Sequence, residues 1–146
     1  MSLDNNDNVF VPPDYKPSET EEYMNPLMVA YFKKKLLDWR RRILTESNET
    51  INMMQTESID EPDMADRAAT ETEHSLALRA QDRQRKLISK IDEALQRIAS
   101  QEYGYCEETG EPIGVARLEA RPIATLSLEA QEQHEKKERT QQDMRV

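Results

Sequence analysis

Cysteine, glycine and aromatic residues are all scarce in this sequence. The single cysteine, Cys106, excludes an intramolecular disulfide framework and gives no sign of an oxidising compartment. Three glycines and an aromatic share of 5% argue against an all-β domain, because such a domain needs frequent turn residues and aromatic side chains on its sheets. We therefore predict a fold that is dominated by helices.

An excess of positive charge and long apolar runs are also absent. The formal net charge is −9, from 29 acidic and 20 basic residues, so the chain repels polyanions and is not expected to bind DNA directly. Residues 1–19 lack the basic and apolar segments of a signal peptide, and the apolar run at 27–32 is too short to cross a bilayer. We expect a cytoplasmic protein without membrane contact.

The order of segments predicts an elongated protein of the all-α class. Hydrophobic residues make up 36% of the 146 residues and charged residues 34%, so the apolar share is low for a globule of this length. Four segments are predicted: a flexible N-terminal arm at 1–22, a long antiparallel coiled-coil hairpin at 23–100 with its tip at 58–66, a compact turn-rich head at 101–125, and a C-terminal helix and tail at 126–146.

Two runs of side chains at alternating spacings of three and four residues predict the two helices of the hairpin. If the chain folds back at the turn-like stretch 58–63, Trp39 is expected to lie opposite Gln84 and Ile43 opposite Ala80. Asn25 is the predicted N-cap of the first helix, with Pro26 at its first position. Either Thr125 or Ser127 is expected to cap the final helix, which runs to about Gln142.

Two clusters of charge are candidates for function. Asp63 and Asp66 are three residues apart at the predicted start of the second helix. Capping and favourable dipole charge explain them without any function, whereas an acidic tip that meets a basic or metal-bearing site is the alternative. Basic residues form a second cluster, which could bind an anion or a partner but could equally be a solvated face. Its members are Lys33–Lys35, Arg40–Arg42, Arg79, Arg83, Arg85, Lys86 and Lys90.

No combination of residues points to catalysis. Cys106 has no second thiol and no nearby histidine with which to form a tetrahedral zinc site. His74 and His134 are isolated, and neither has a serine or cysteine partner at a spacing that suggests a nucleophile. The residues themselves favour a protein that works by binding.

Four blocks of sequence resemble, in this order, the DksA family of RNA polymerase-binding transcription factors, also called the DksA/TraR family. The blocks are Glu22 to Asn25, Pro62 to Ala68, Asp82 to Ile88, and Tyr103 to Pro122. The resemblance implies a hairpin that enters the secondary channel of bacterial RNA polymerase and modulates initiation together with the alarmone ppGpp. It implies no enzymatic activity and no prosthetic group, and we expect a monomer.

The same resemblance assigns roles to individual residues. Asp63, Asp66 and Ala68 match the tip residues that contact the active-site region of polymerase. The ppGpp-binding residues of the family match Arg83, Lys86, Leu87, Lys90 and Arg121, while a further basic position of the family is Gln131 here.

The zinc finger of the family is altered in this chain. Its four cysteine positions fall on Cys106, Thr109, Ser127 and Ala130, so the chain is similar to the cysteine-poor, zinc-free branch, with a zinc-finger-like head that lacks the metal site. Apolar contacts are expected to replace the metal, and they involve Ile113, Val115, Leu118, Ile123, Leu126 and Leu128.

The sequence is also compatible with two rival functions. A Gre-like transcript-cleavage factor also carries paired tip acids on a hairpin, although its head differs from the segment between Cys106 and Pro122. A structural coiled-coil adaptor that docks elsewhere is the other alternative.

Overall fold

A computed structural model of the chain describes residues 9–57 and 64–144. These residues form four helices: α1 (Pro26–Glu57), α2 (Met64–Ala99), α3 (Val115–Ala120) and α4 (Leu128–Met144). In the same residues the sole β pairing is an isolated antiparallel bridge between Tyr105 and Pro112. The predicted helical fold class is confirmed. The chain divides into two compact units, a head unit made of Met1–Leu36 and Glu93–Val146, and an arm unit made of Leu37–Asp92.

Side-chain caps set two of the helix starts. The Asn25 side-chain oxygen accepts a hydrogen bond from the Met28 N–H at 3.0 Å, and Pro26 is the first residue of α1. The Ser127 hydroxyl likewise accepts from the Ala130 N–H at 3.2 Å, so Ser127 caps α4 rather than Thr125. Each bond satisfies one of the N–H groups that a helix leaves free at its beginning. Both caps were among the residues that the sequence predicts.

Within the arm unit, polar contacts show that the two helices run antiparallel. The Ser47 hydroxyl lies 2.6 Å from the Gln84 side-chain oxygen, and Arg40 Nε lies 2.8 Å from Asp92 Oδ1. Gln84 therefore meets Ser47 rather than Trp39, and the predicted register is wrong by about one heptad. A seam with three-four spacing repeats every seven residues. Sliding one helix past the other by one heptad therefore still pairs apolar positions, so the pattern alone allows both alignments.

The core of the head unit combines α1 with the segments that follow α2. Met28, Phe32, Leu36 and Leu118 are fully buried, and Tyr103 is nearly so. The Phe32 and Tyr103 rings lie 5.8 Å apart, and the Tyr103 hydroxyl donates to the Pro122 carbonyl at 2.7 Å. This bond satisfies the polar end of an otherwise apolar side chain, which allows the whole ring to be buried.

A short loop at 104–114 carries the first two positions of the altered zinc finger. Its backbone turns back on itself, because the Gly110 N–H donates to the Cys106 carbonyl and the Cys106 N–H donates to the Glu111 carbonyl. Arg97 holds this loop from the end of α2, with one guanidinium nitrogen 2.6 Å from the Tyr105 carbonyl and the other 3.2 Å from a Glu107 carboxylate oxygen.

The described part of the N-terminal segment contacts the same loop. The Tyr23 hydroxyl donates to the Gly104 carbonyl at 2.6 Å and accepts from the Gly114 N–H at 3.0 Å. Gly104 has a φ of +93°, and a Cβ at this position would come within 2.9 Å of the Met24 side chain. The backbone conformation therefore requires glycine here, whereas the end of the flexible Met24 side chain could move aside.

The head also differs in two respects from the sequence-based expectation. The six-residue helix α3 was not predicted, because a helix of that length is too short to display a periodic pattern. Leu128 was expected to help replace the metal, but it is 58% exposed at the first position of α4. Ile113, Val115 and Leu118 are buried as expected, while Ile123 and Leu126 are half-buried.

Candidate functional site

The predicted tip acids lie outside the described part of the chain. Asp63 belongs to the stretch 58–63, and although Asp66 is part of α2, its side chain is not among those described. Ala68 is described, and it is an exposed residue of α2. The roles of Asp63 and Asp66 therefore stay predictions, while Ala68 is accessible to a partner.

The predicted phosphate-binding residues of α2 form one cationic face. Arg83, Lys86, Leu87 and Lys90 follow one another at spacings of three, one and three residues, which places them along one side of a helix. The three basic residues are exposed and Leu87 is half-buried. Three positive charges next to an apolar edge can bind a phosphorylated ligand that also presents an apolar surface.

The basic residues of the arm unit fall into two groups, which the sequence alone did not separate. Arg40, Arg41 and Arg85 form ion pairs with Asp92, Asp38 and Asp82. Among the described residues, no ion pair or hydrogen bond engages the side chains of Arg83, Lys86 or Lys90. These three charges need no internal bond to be broken before they bind an anion.

Arg121 lies in the head unit, directly after α3. Its N–H donates to the Arg117 carbonyl at 2.8 Å and ends the helix. The residue is exposed, and its guanidinium makes no ion pair with any described residue. Gln131, where the family resemblance places a further basic residue, is a half-buried residue of α4 and bonds to Glu135.

The four altered zinc-finger positions remain structured. Cys106, Ser127 and Ala130 are buried, and Thr109 is exposed. Burial raises the pKa of the Cys106 thiol, but the Thr109 hydroxyl and the N–H groups of Ser127, Thr109 and Glu108 bond to the sulfur and lower the pKa to about 6.

The donor atoms at these positions do not fit a tetrahedral zinc ion. A structural zinc ion is held by four thiolate or imidazole ligands. The four positions here instead supply one thiol, two hydroxyls and a methyl group. The Ser127 hydroxyl already accepts the α4 capping bond, and the Thr109 hydroxyl accepts from the Glu111 N–H at 3.3 Å. Within 9–57 and 64–144, no group of three or more His, Cys, Asp or Glu side chains could hold a metal ion.

Two contacts in the head unit have no signal in the sequence. His134 of α4 bonds to the Glu108 carboxylate and so ties that helix to the loop that carries Cys106. Lys35 of α1 reaches Glu119 of α3. In both pairs the partners are far apart in sequence, so no local spacing could reveal them.

Family models match most of the chain. The model of the DnaK suppressor protein DksA, N-terminal domain, matches residues 28–98. The model of the prokaryotic dksA/traR C4-type zinc finger matches residues 101–136, even though three of its four cysteines are replaced here.

Similar proteins and a similar structure carry the same family name. The RNA polymerase-binding transcription factor DksA of Caulobacter vibrioides (strain NA1000 / CB15N) is 60% identical over 130 residues, covering 89% of this chain and 92% of that protein. The Escherichia coli (strain K12) protein of the same name is 45% identical over 79% of this chain and 76% of its own length. The solved structure of transcription factor DksA2 from Pseudomonas aeruginosa matches with a TM-score of 0.77 and 38% identity, covering 82% of this chain and 94% of that one.

Among the described residues, no helix is long and apolar enough to cross a bilayer. The sequence blocks, the helical fold, the altered zinc-finger loop and the extent of these matches lead to one conclusion. This chain belongs to the DksA family.

Proposed function

We propose that this protein is a cytoplasmic transcription factor that binds bacterial RNA polymerase, places its hairpin in the secondary channel and modulates initiation together with ppGpp. The observation that carries the proposal is the 60% identity, over 92% of its length, to a relative that is named as an RNA polymerase-binding transcription factor. The protein acts as a monomer and has no sequence-specific contact with DNA, in keeping with its net charge of −9.

The cationic face of α2 is the proposed site for ppGpp. Arg83, Lys86 and Lys90 are exposed and make no ion pair with other described residues, which supports a role in binding the phosphates. Leu87 adds an apolar edge, and polymerase completes the site. Arg121 is proposed as a further contact to the same ligand. Charged hydrogen bonds to phosphate are about twice as strong as neutral ones, so a few such residues suffice for a specific site.

The tip is proposed to act through charge and not through catalysis. Asp63, Asp66 and Ala68 would reach the active-site region of polymerase, where the carboxylates alter promoter complexes. A Gre-like factor would instead use paired acids to hold a magnesium ion and promote transcript cleavage. Membership of the DksA family favours modulation over cleavage.

Polymerase binding and the type of activity can be tested together. Tagged protein is expected to retain RNA polymerase core on a column, and added ppGpp is expected to change transcription from a responsive promoter. Backtracked complexes should release no more 3′ RNA fragment with the protein than without it. Failure to retain polymerase would favour a structural adaptor, and stimulated release of the fragment would favour a cleavage factor.

The purified protein is expected to contain no stoichiometric zinc. Three of the four ligand positions are filled by Thr109, Ser127 and Ala130, and the hydroxyls already take part in hydrogen bonds. Treatment with a chelator should leave the helical circular dichroism and the Tm unchanged, whereas a true zinc finger would lose structure. About one equivalent of tightly bound zinc by elemental analysis would show that other residues complete a metal site.

A further inference from the structure

The four altered zinc-finger positions fall on two separate segments of the head unit. Cys106 and Thr109 lie in the loop at 104–114, whereas Ser127 and Ala130 lie at the start of α4. A zinc ion bound by all four positions would fasten the loop to the helix. The donor atoms present here do not fit the metal, so other groups hold the two segments together.

One pair of side chains joins the same two segments. Glu108 lies between the two altered positions of the loop, and its carboxylate bonds to Nε2 of His134. His134 follows Ser127 and Ala130 at spacings of three and four residues, so the three residues share one side of α4. Each partner of the pair is therefore next to one half of the altered finger.

This bond is distinct from the other contacts around the loop. The Glu107 N–H donates to the Thr125 carbonyl at 2.9 Å, but that bond reaches only the segment before α4. Among the described residues, no other hydrogen bond or ion pair joins a side chain of the loop to a side chain of α4. The bond between Glu108 and His134 thus gives α4 a direct side-chain link to the loop.

The exposure of the two side chains sets the strength of this link. The side chains of His134 and Glu108 are 44% and 46% exposed. A pair that is this accessible to water stabilises a protein far less than a structural zinc ion does. We therefore expect its loss to loosen the loop and the start of α4 locally, while the rest of the head unit stays folded.

We propose that the bond between Glu108 and His134 takes the place of the zinc ion as the fastening between the loop and α4. Both residues belong to the head unit. The role goes beyond the proposed function, since it requires neither polymerase nor ppGpp. A carboxylate and an imidazole bond to each other without a thiolate or a metal, so neither a chelator nor an oxidant of thiols should release them.

Amide hydrogen exchange of the full-length protein, followed by NMR, tests the link. The reporters are the hydrogen-bonded backbone N–H groups of Cys106, Gly110 and Gln131. Glu108→Ala and His134→Ala should each speed their exchange about two- to fivefold, the range expected for a partly exposed pair. The double variant should exchange no faster than the faster single variant, because both changes remove the same bond.

Two matched controls separate the bond from general effects of charge. Glu111→Ala removes a carboxylate from the same loop, and Lys137→Ala removes a charge from α4. Both residues are exposed and make no ion pair with a described residue, so exchange should stay at the wild-type rate. Wild-type exchange in Glu108→Ala and His134→Ala, or independent effects that add in the double variant, would overturn the proposal.

Restoring the metal site tests whether the pair does the work of zinc. Thr109→Cys, Ser127→Cys, Ala130→Cys supplies the three missing thiols, and this variant is expected to bind about one zinc ion per chain by elemental analysis. The bound ion should make separation of the loop from α4 so rare that adding Glu108→Ala, His134→Ala leaves the exchange rates unchanged. An undiminished acceleration in the zinc-loaded protein would show that the pair has a different role. Failure to bind zinc would show that the two segments do not keep the arrangement of the finger, and it would also overturn the proposal.

Discussion

The Asp63→Asn, Asp66→Asn double variant is expected to bind RNA polymerase core as tightly as wild type and to lose most of its effect on transcription. Asparagine keeps the size and hydrogen-bonding capacity of aspartate but removes the charge that is proposed to act near the polymerase active site. A favourable charge at the start of a helix contributes only about 0.3–1 kcal/mol, so the fold should survive. The activity should fall about tenfold for each charged contact that is lost.

A matched pair of acids provides the control for this variant. Glu71 and Glu73 are exposed residues of α2, and Glu71→Gln, Glu73→Gln removes the same number of negative charges. Polymerase affinity, Tm and transcription should be measured on one preparation of each protein. If the Asp63→Asn, Asp66→Asn protein keeps full activity, the proposed role of the tip is wrong. If the loss of its effect on transcription merely follows the loss of thermal stability, measured as Tm, the two aspartates are only helix-start residues.

The Arg83→Ala, Lys90→Ala variant is expected to lose most of its affinity for ppGpp while keeping its affinity for polymerase. Each substitution removes a charged hydrogen bond to phosphate, worth about 1.5–3 kcal/mol, so the combined loss should be about a hundredfold or more. Both residues are exposed and make no ion pair with described residues, so the substitutions should change the Tm very little. The measurement is the affinity of labelled ppGpp for the complex of the variant with polymerase.

Arg85→Ala is the control for the cationic face. Arg85 lies on α2 between the two substituted residues, but its guanidinium is 3.4 Å from an Asp82 carboxylate oxygen and it is not part of the proposed site. This variant should retain ppGpp affinity and activity. If Arg83→Ala, Lys90→Ala instead loses activity equally with and without ppGpp, the cationic face is a docking surface for polymerase.

Local chemistry in the sequence was enough to predict α1, α2 and α4 and part of the candidate site. Asn25 and Pro26 could be recognised as helix-start residues, and Ser127 was one of two candidate caps, because a cap depends on atoms three residues away. The spacing of Arg83, Lys86, Leu87 and Lys90 likewise predicts a shared helix face, since helical geometry alone sets it. The family resemblance, and not the spacing, connected this face with ppGpp.

Only the tertiary structure decided how the helices align and which charges are engaged. The heptad pattern allowed more than one register, and the contact between Ser47 and Gln84 shows which one the arm unit adopts. Arg85 and Arg83 are equivalent in a count of charges, but only Arg85 has an ion pair among the described residues. The bond from Lys35 to Glu119 joins residues that are distant in sequence, and it forms because α1 and α3 pack against each other in the head unit. The sequence by itself determined caps and faces, which depend on near neighbours, whereas register and pairing depend on contacts between distant segments and were decided by packing.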